Sequence, residues 1–164
     1  MTRKGIVACG HMETARAAAA VLDAGGNAFD AALAGMCAAC VAEPILASLG
    51  GGGFLLARPA GSGSAGAPAV FDFFGQTPKA RLPEAEIDFV PVEAHFGSTR
   101  QAFHIGMGSV ATPGVVKGLF EAHRALGRMP MREVVAPAVD LARRGVVTTP
   151  MQAYMAGVVG AILK

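Results

Sequence analysis

A chain of 164 residues with 52% apolar residues, 16% charged residues and a net charge of +2 is too apolar to be disordered and too weakly charged to be a nucleic-acid-binding tail. Alanine and glycine fill a third of its positions, so its elements pack closely through small side chains. So little charge on a chain of this size points to a surface that something else covers.

Residues 1–8 carry Arg3 and Lys4 but no apolar run before His11 and Glu13, so no secretory signal is read and a cytoplasmic location is expected. Residues 5–9 read as a short strand. Residues 13–24 form an Ala-rich helix with Glu13 in its first turn and Gly25-Gly26 as its stop. Asn27 caps a second helix, with Asp30 facing the positive end of its dipole. That helix ends near Glu43, because Pro44 disfavours helical geometry in the residue before it. Its apolar run covers residues 31–42, too short for a bilayer crossing of about 20 residues, so it is a buried core helix and no membrane partner is expected.

The four glycines 50–53 leave no side chain between neighbouring backbones. Residues 53–58 and 68–74 read as a strand hairpin around a loop at 59–67, and their nearly unbroken apolar character predicts cover on both faces. Residues 79–103, with Lys79, Arg81, Glu84, Glu86, Asp88, Glu93 and Arg100 among Pro83 and Pro91, read as a surface excursion. A weak strand follows at 104–111. Thr112 caps and Pro113 starts a helix to Leu126, with Gly127 as its stop. Residues 131–144 form another, with Pro137 inside it as a kink or break and Gly145 after it. Thr149-Pro150-Met151-Gln152 is a capping box. Met151, Tyr154, Met155, Val158 and Ile162 form a stripe to Lys164, where the chain is expected to be cut inside or at the end of a helix.

Few residues announce chemistry. Cys37-Ala-Ala-Cys40 matches a redox spacing but sits deep in a helix, where two small buried thiols are the plainer reading. Cys9 and His11 would complete a four-ligand zinc set with them, but this second pair is only C-x-H and nothing in the sequence places it near the first. Gly61-Ser-Gly63-Ser-Ala-Gly66 matches the dinucleotide fingerprint letter for letter, yet Pro68 and a strand follow where a helix is required. Of the histidines His11, His95, His104 and His123, none stands with a nucleophile, and Ser48, Ser98 and Ser109 lie outside any nucleophile elbow. The residues alone give an α/β chain with no catalytic residue, metal ligand or cofactor site.

The order of the motifs carries more. Gly5-Ile-Val-Ala-Cys-Gly-His11, Ala24-Gly-Gly-Asn-Ala-Phe-Asp-Ala-Ala32, Glu43-Pro44, Gly50-Gly-Gly-Gly-Phe54, Asp72-Phe73 with Pro78, Pro113-Gly114 with Gly118-Leu119, and Pro137-Ala-Val-Asp-Leu-Ala-Arg143 with Gly145 follow one another over residues 1–164. In this order they resemble the N-terminal part of the large subunit of the γ-glutamyltranspeptidase family. The resemblance implies an α/β (α+β) fold of the N-terminal nucleophile hydrolase type, an αββα sandwich of which only the N-terminal portion is present. It implies a precursor that cleaves itself into two subunits and a threonine, exposed at the start of the small subunit, that attacks a γ-glutamyl amide such as glutathione. The partners implied are the rest of the precursor and a small amide or peptide substrate, with no cofactor and no nucleic acid. The nucleophile lies outside this chain.

One segment departs from the family pattern. Well-studied members read Asp-Phe-Arg-Glu-x-x-Pro, with the arginine gripping the donor's α-carboxylate, a task suited to a bidentate guanidinium. Here the segment is Asp72-Phe73-Phe74-Gly75-Gln76-Thr77-Pro78. Phe74, Gly75 and Gln76 are therefore the candidate substrate-binding residues. Either Arg58, Arg81, Arg100 or another base supplies the charge, or the donor is not γ-glutamyl and the intact enzyme is a related amidohydrolase or acylase. Phe74 as a core residue is the structural alternative. A non-catalytic interaction module is the alternative for the whole chain, and uncovered apolar faces would let isolated copies self-associate.

Overall fold

The computed structural model describes residues 5–61 and 63–163. These divide into two compact units, one of residues 5–75 with Pro113–Val147 and one of Gln76–Thr112 with residues 148–163.

In the first unit, α1 (Met12–Asp23) and α2 (Ala28–Ala42) form the expected hairpin. His11 caps α1, its Nδ1 accepting the Glu13 N–H at 3.1 Å. The two helices meet through Ala17, Ala18, Ala31, Ala34 and Ala38, all buried, which is what the small-residue composition allows. Because α2 also packs against α3 (Val115–Leu126) and α4 (Met131–Arg144), it is apolar on most of its circumference. At the foot of α2, Thr14 of α1 donates its hydroxyl to Glu43 at 2.8 Å, tying the helix end to its neighbour.

The turn into α2 is a clamp. Asn27 and Asp30 form the capping box, Asn27 accepting from the N–H groups of Phe29 and Asp30, and Asp30 from that of Asn27 at 2.9 Å. The Asp30 carboxyl is fully buried and also accepts from the N–H groups of Arg128 and Met129 at 3.1 to 3.3 Å. Asn27 returns a bond from Nδ2 to the Leu126 carbonyl at 2.7 Å. Two polar residues three positions apart thus pin the start of α2 to the turn after α3.

Strands β1 (Phe54–Ala57) and β2 (Ala69–Asp72) pair antiparallel, Phe54 opposite Asp72 and Ala57 opposite Ala69. The loop between them holds a short 3₁₀ turn at Gly63–Gly66; Ser62 of the glycine-rich match lies outside the described residues. Three expectations change here. Residues 5–9 carry no regular structure: Val7 packs on the core while Ile6 is 98% exposed, and a strand exists only with a ladder partner, which the described residues do not offer this segment. The hairpin is not covered on both faces: Leu55, Phe71 and Phe73 pack on the helix core and Ala57 is buried, whereas Phe54, Leu56 and Val70 are exposed. Helix α3 begins at Val115, not at Pro113, and Thr112 does not cap it. Helix α4 has the expected bounds and passes through Pro137 without a break.

In the second unit, residues 79–103 are more than an excursion. Strands β3 (Val90–Phe96) and β4 (Thr99–Ile105) form an antiparallel hairpin with Phe96 opposite Thr99. Val92, Ala94 and Phe96 alternate with Glu93 and His95, a period-two pattern that Pro91 and the surrounding charges obscured. The strand expected at 104–111 accordingly ends at Ile105, and a 3₁₀ turn follows at Met107–Ser109. Helix α5 (Pro150–Val158) opens with the expected capping box and packs against β3. It stops at Val158, so Ile162 follows the helix rather than continuing its stripe, in a stretch where Gly157 and Gly160 weaken helical geometry. No helix among the described residues is long and apolar enough to cross a membrane.

Candidate functional site

The glycine loop, the end of β2 and the start of α3 are locked together by backbone contacts. The Gly51 carbonyl accepts the N–H groups of both Gly114 and Val115, at 3.1 and 3.2 Å. It does what the expected Thr112 cap does not, satisfying the first free donors of α3. Gly53 and Phe73 exchange both backbone bonds, at 3.1 and 3.3 Å, extending the strand ladder by one pair. Any side chain on Gly52 would strike the backbone of Phe74 and Gly75, and any on Gly118 would strike the Phe73 ring. The glycine run and the Pro113-Gly114…Gly118-Leu119 motif are therefore two halves of one fit around the Phe73–Gly75 segment.

The two adjacent phenylalanines have opposite fates. Phe73 is 7% exposed and enters the core with Val115 and Leu119. Phe74 is 56% exposed, and its ring stacks on that of Phe54 at 5.5 Å between centroids and 16° between planes. Its N–H donates to Asp72 Oδ1 at 3.0 Å, which fixes the turn of the chain away from the ladder. Gly75 closes the first unit. Gln76 opens the second, where its backbone pairs in both directions with Thr112 at 2.7 and 3.1 Å.

The arginines weighed as substitutes are all exposed. Arg58 follows the far end of β1 from Phe54, and in the second unit Arg100 faces Glu93 at 3.8 Å. The remaining suspects have structural partners. Burial pushes the Cys37 thiol up to about 11 and raises Cys40 also, which disfavours the thiolate that redox or metal chemistry needs. His123 sits 2.7 Å by Nε2 from the Met129 carbonyl and holds the turn after α3, while His104 stacks on Phe89. Ser48 accepts the Gly50 N–H at 2.9 Å and shapes the glycine loop. No cluster of His, Cys, Asp and Glu among the described residues could hold a metal ion. Sequence reasoning missed the Phe54 partner of Phe74, the Gly51 cap and the buried reach of Asp30, because each joins residues far apart in the chain.

These helices and hairpins match part of the fold of an N-terminal nucleophile hydrolase. The structure of gamma-glutamyltranspeptidase from Pseudomonas nitroreducens complexed with L-DON matches with a TM-score of 0.77 at 27% identity, over 97% of this chain and 45% of that one. The model of the gamma-glutamyltranspeptidase family matches residues 14–160, and the chain belongs to that family. An acylase ACY 1 proenzyme of Pseudomonas sp. (strain SE83) is 36% identical over 150 residues, covering 90% of this chain and 26% of that protein. A glutathione hydrolase proenzyme of Pseudomonas aeruginosa is 33% identical over 142 residues, covering 86% and 24%. The chain spans about a quarter of the length of the curated relatives it matches.

Proposed function

We propose that this chain is the N-terminal part of the large subunit of a self-processing, amide-cleaving enzyme, and that Phe74, Gly75 and Gln76 border its acyl-donor pocket. In the intact protein a threonine outside this chain attacks the amide carbonyl, its own amine taking the hydroxyl proton. The amine of the substrate leaves, and the ester so formed passes its acyl group to water or to an amino acid. This chain contributes no catalytic group. Its part is a wall held rigid by the fit of the glycine loop around Phe73–Gly75.

The observation that carries the reading is Phe74. It stands where the resemblance puts the carboxylate-gripping arginine, and its ring is exposed rather than in the core. A phenyl ring cannot pair a carboxylate, so the reading favours an acylase or amidohydrolase over a γ-glutamyl transferase. The proenzyme names of the acylase and glutathione hydrolase relatives support the processing step.

The test is mass spectrometry of the purified full-length product. The expected result is two chains, the smaller beginning with threonine, and amide turnover that the 164-residue chain alone lacks. A single uncleaved polypeptide, or turnover by the short chain alone, refutes the reading.

A further inference from the structure

The β1–β2 hairpin has one apolar face turned outward. Phe54 stands opposite Asp72, and Leu56 opposite Val70, so these four share that face. Phe54, Leu56 and Val70 are 63, 71 and 64% exposed. Phe74, two residues past Asp72, keeps the same alternation, and its ring lies on that of Phe54. The pair sits on a fixed base, with Gly53 bonded to Phe73, Gly52 against the 74–75 backbone and the Phe74 N–H held by Asp72. The rings are thus positioned before any ligand arrives, which lowers the ordering cost of binding.

Charge on this face is selective. Asp72, opposite Phe54 and bonded to the Phe74 N–H, puts a carboxylate beside the ring pair and repels an anionic group seated there. Arg58 continues the face only at its far end, four residues or about 13 Å along the strand from Phe54. A flat, neutral group gains stacking and burial on these rings, while the described residues of this face offer a carboxylate no cation beside them.

We propose that Phe54 is a specificity-determining residue: with Phe74 it forms an aromatic shelf for the acyl group of the amide, and the acyl class it takes is neutral and flat, of the aryl-acetyl kind. The proposal rests on the reading that Phe74 borders the donor pocket.

The test uses the matured full-length protein with the p-nitroanilides of phenylacetic acid, acetic acid and γ-glutamate. Phenylacetyl is expected to exceed γ-glutamyl in kcat/KM by about tenfold or more. Phe54→Ala lowers the phenylacetyl value about tenfold, mainly through KM, and shifts the phenylacetyl-to-acetyl ratio of kcat/KM about fivefold or more toward acetyl, and Phe54→Tyr restores that ratio. Where Phe54→Ala fails to mature, Phe54→Leu keeps the bulk and removes the stacking, and the ratio again shifts toward acetyl. Equal losses on acetyl and phenylacetyl make Phe54 a packing residue and overturn the proposal. Cleavage of γ-glutamyl in preference to phenylacetyl overturns it while leaving amide cleavage standing. Turnover of none of the three removes the underlying reading as well.

Discussion

Replacing Asp30 with alanine tests whether the Gly-Gly-Asn-Ala-x-Asp motif is a clamp rather than a chemical site. The side chain is fully buried and accepts three backbone N–H groups, from Asn27, Arg128 and Met129, at 2.9 to 3.3 Å. Alanine leaves all three donors without that acceptor in a place water does not easily reach. Each such loss costs about 1–3 kcal/mol, and the longer contacts fall at the low end. The capping box is lost with them, so the sum is about 4 kcal/mol, a large share of the 5–15 kcal/mol typical of a folded domain. Asp30→Asn retains one carbonyl acceptor and turns an NH₂ toward the remaining donors, so it recovers about half. Urea unfolding of the full-length protein measures the total, and hydrogen exchange at the Arg128 and Met129 amides measures it locally, where about 3 kcal/mol is roughly a hundredfold faster exchange. A Phe29→Leu control, which leaves the clamp intact, stays near wild type. An Asp30→Ala protein within about 0.5 kcal/mol of wild type, with unchanged exchange at these two amides, refutes the clamp.

Three further outcomes follow from the same geometry. Gly52→Ala drives a methyl into the Phe74–Gly75 backbone, so the strand end and glycine loop separate; the expected loss is at least about 3 kcal/mol in urea unfolding, and a near-neutral effect contradicts the fit. Glu13 is held below the ordinary carboxyl value of 4.5, chiefly by its hydrogen bond from Arg144 and then by that from Arg16. Its folded value is the lower one, so its contribution is present above about pH 4.5 and fades as the pH falls through the depressed value. Glu13→Gln should therefore show a shallower decline of stability between about pH 5 and 3 than wild type, and parallel curves refute this. Cys37, protonated up to about pH 11, should escape iodoacetamide at pH 8 while exposed Cys9 is alkylated, as read by peptide mass spectrometry; rapid labelling of Cys37 in the native protein contradicts its burial.

What the sequence made legible was local. Asn27 with Asp30 and Thr149 with Gln152 announce their helices because a capping box closes within four residues. Gly127 and Gly145 mark helix ends just as locally, each standing directly after the last helical residue. What escaped depends on partners distant in the chain. Residues 5–9 have the composition of a strand but no ladder partner among the described residues. The apolar β1–β2 hairpin looked covered on both sides because composition reports what a strand can bury, not what this chain supplies to bury it. The start of α3 was misplaced because its first donors are met by the Gly51 carbonyl, more than sixty residues earlier, rather than by an adjacent hydroxyl. For the site, the substitution at Phe74 was visible as a departure from a motif, but its exposure and its stacking on Phe54 required coordinates. The early shortage of charge has its counterpart in exposed apolar side chains spread along the chain, from Ile6, Leu46 and Leu49 to Phe120, Val147 and Tyr154, in a chain that spans a quarter of the length of its curated relatives.

The most direct measurement is the effect of Phe74→Arg on the matured full-length protein with γ-glutamyl p-nitroanilide. If Phe74 lines the donor pocket in place of a carboxylate-binding arginine, restoring the guanidinium raises kcat/KM for this donor by about tenfold or more, chiefly through KM, and lowers it for neutral acyl anilides. Unchanged selectivity together with reduced stability contradicts the account and makes Phe74 a packing residue.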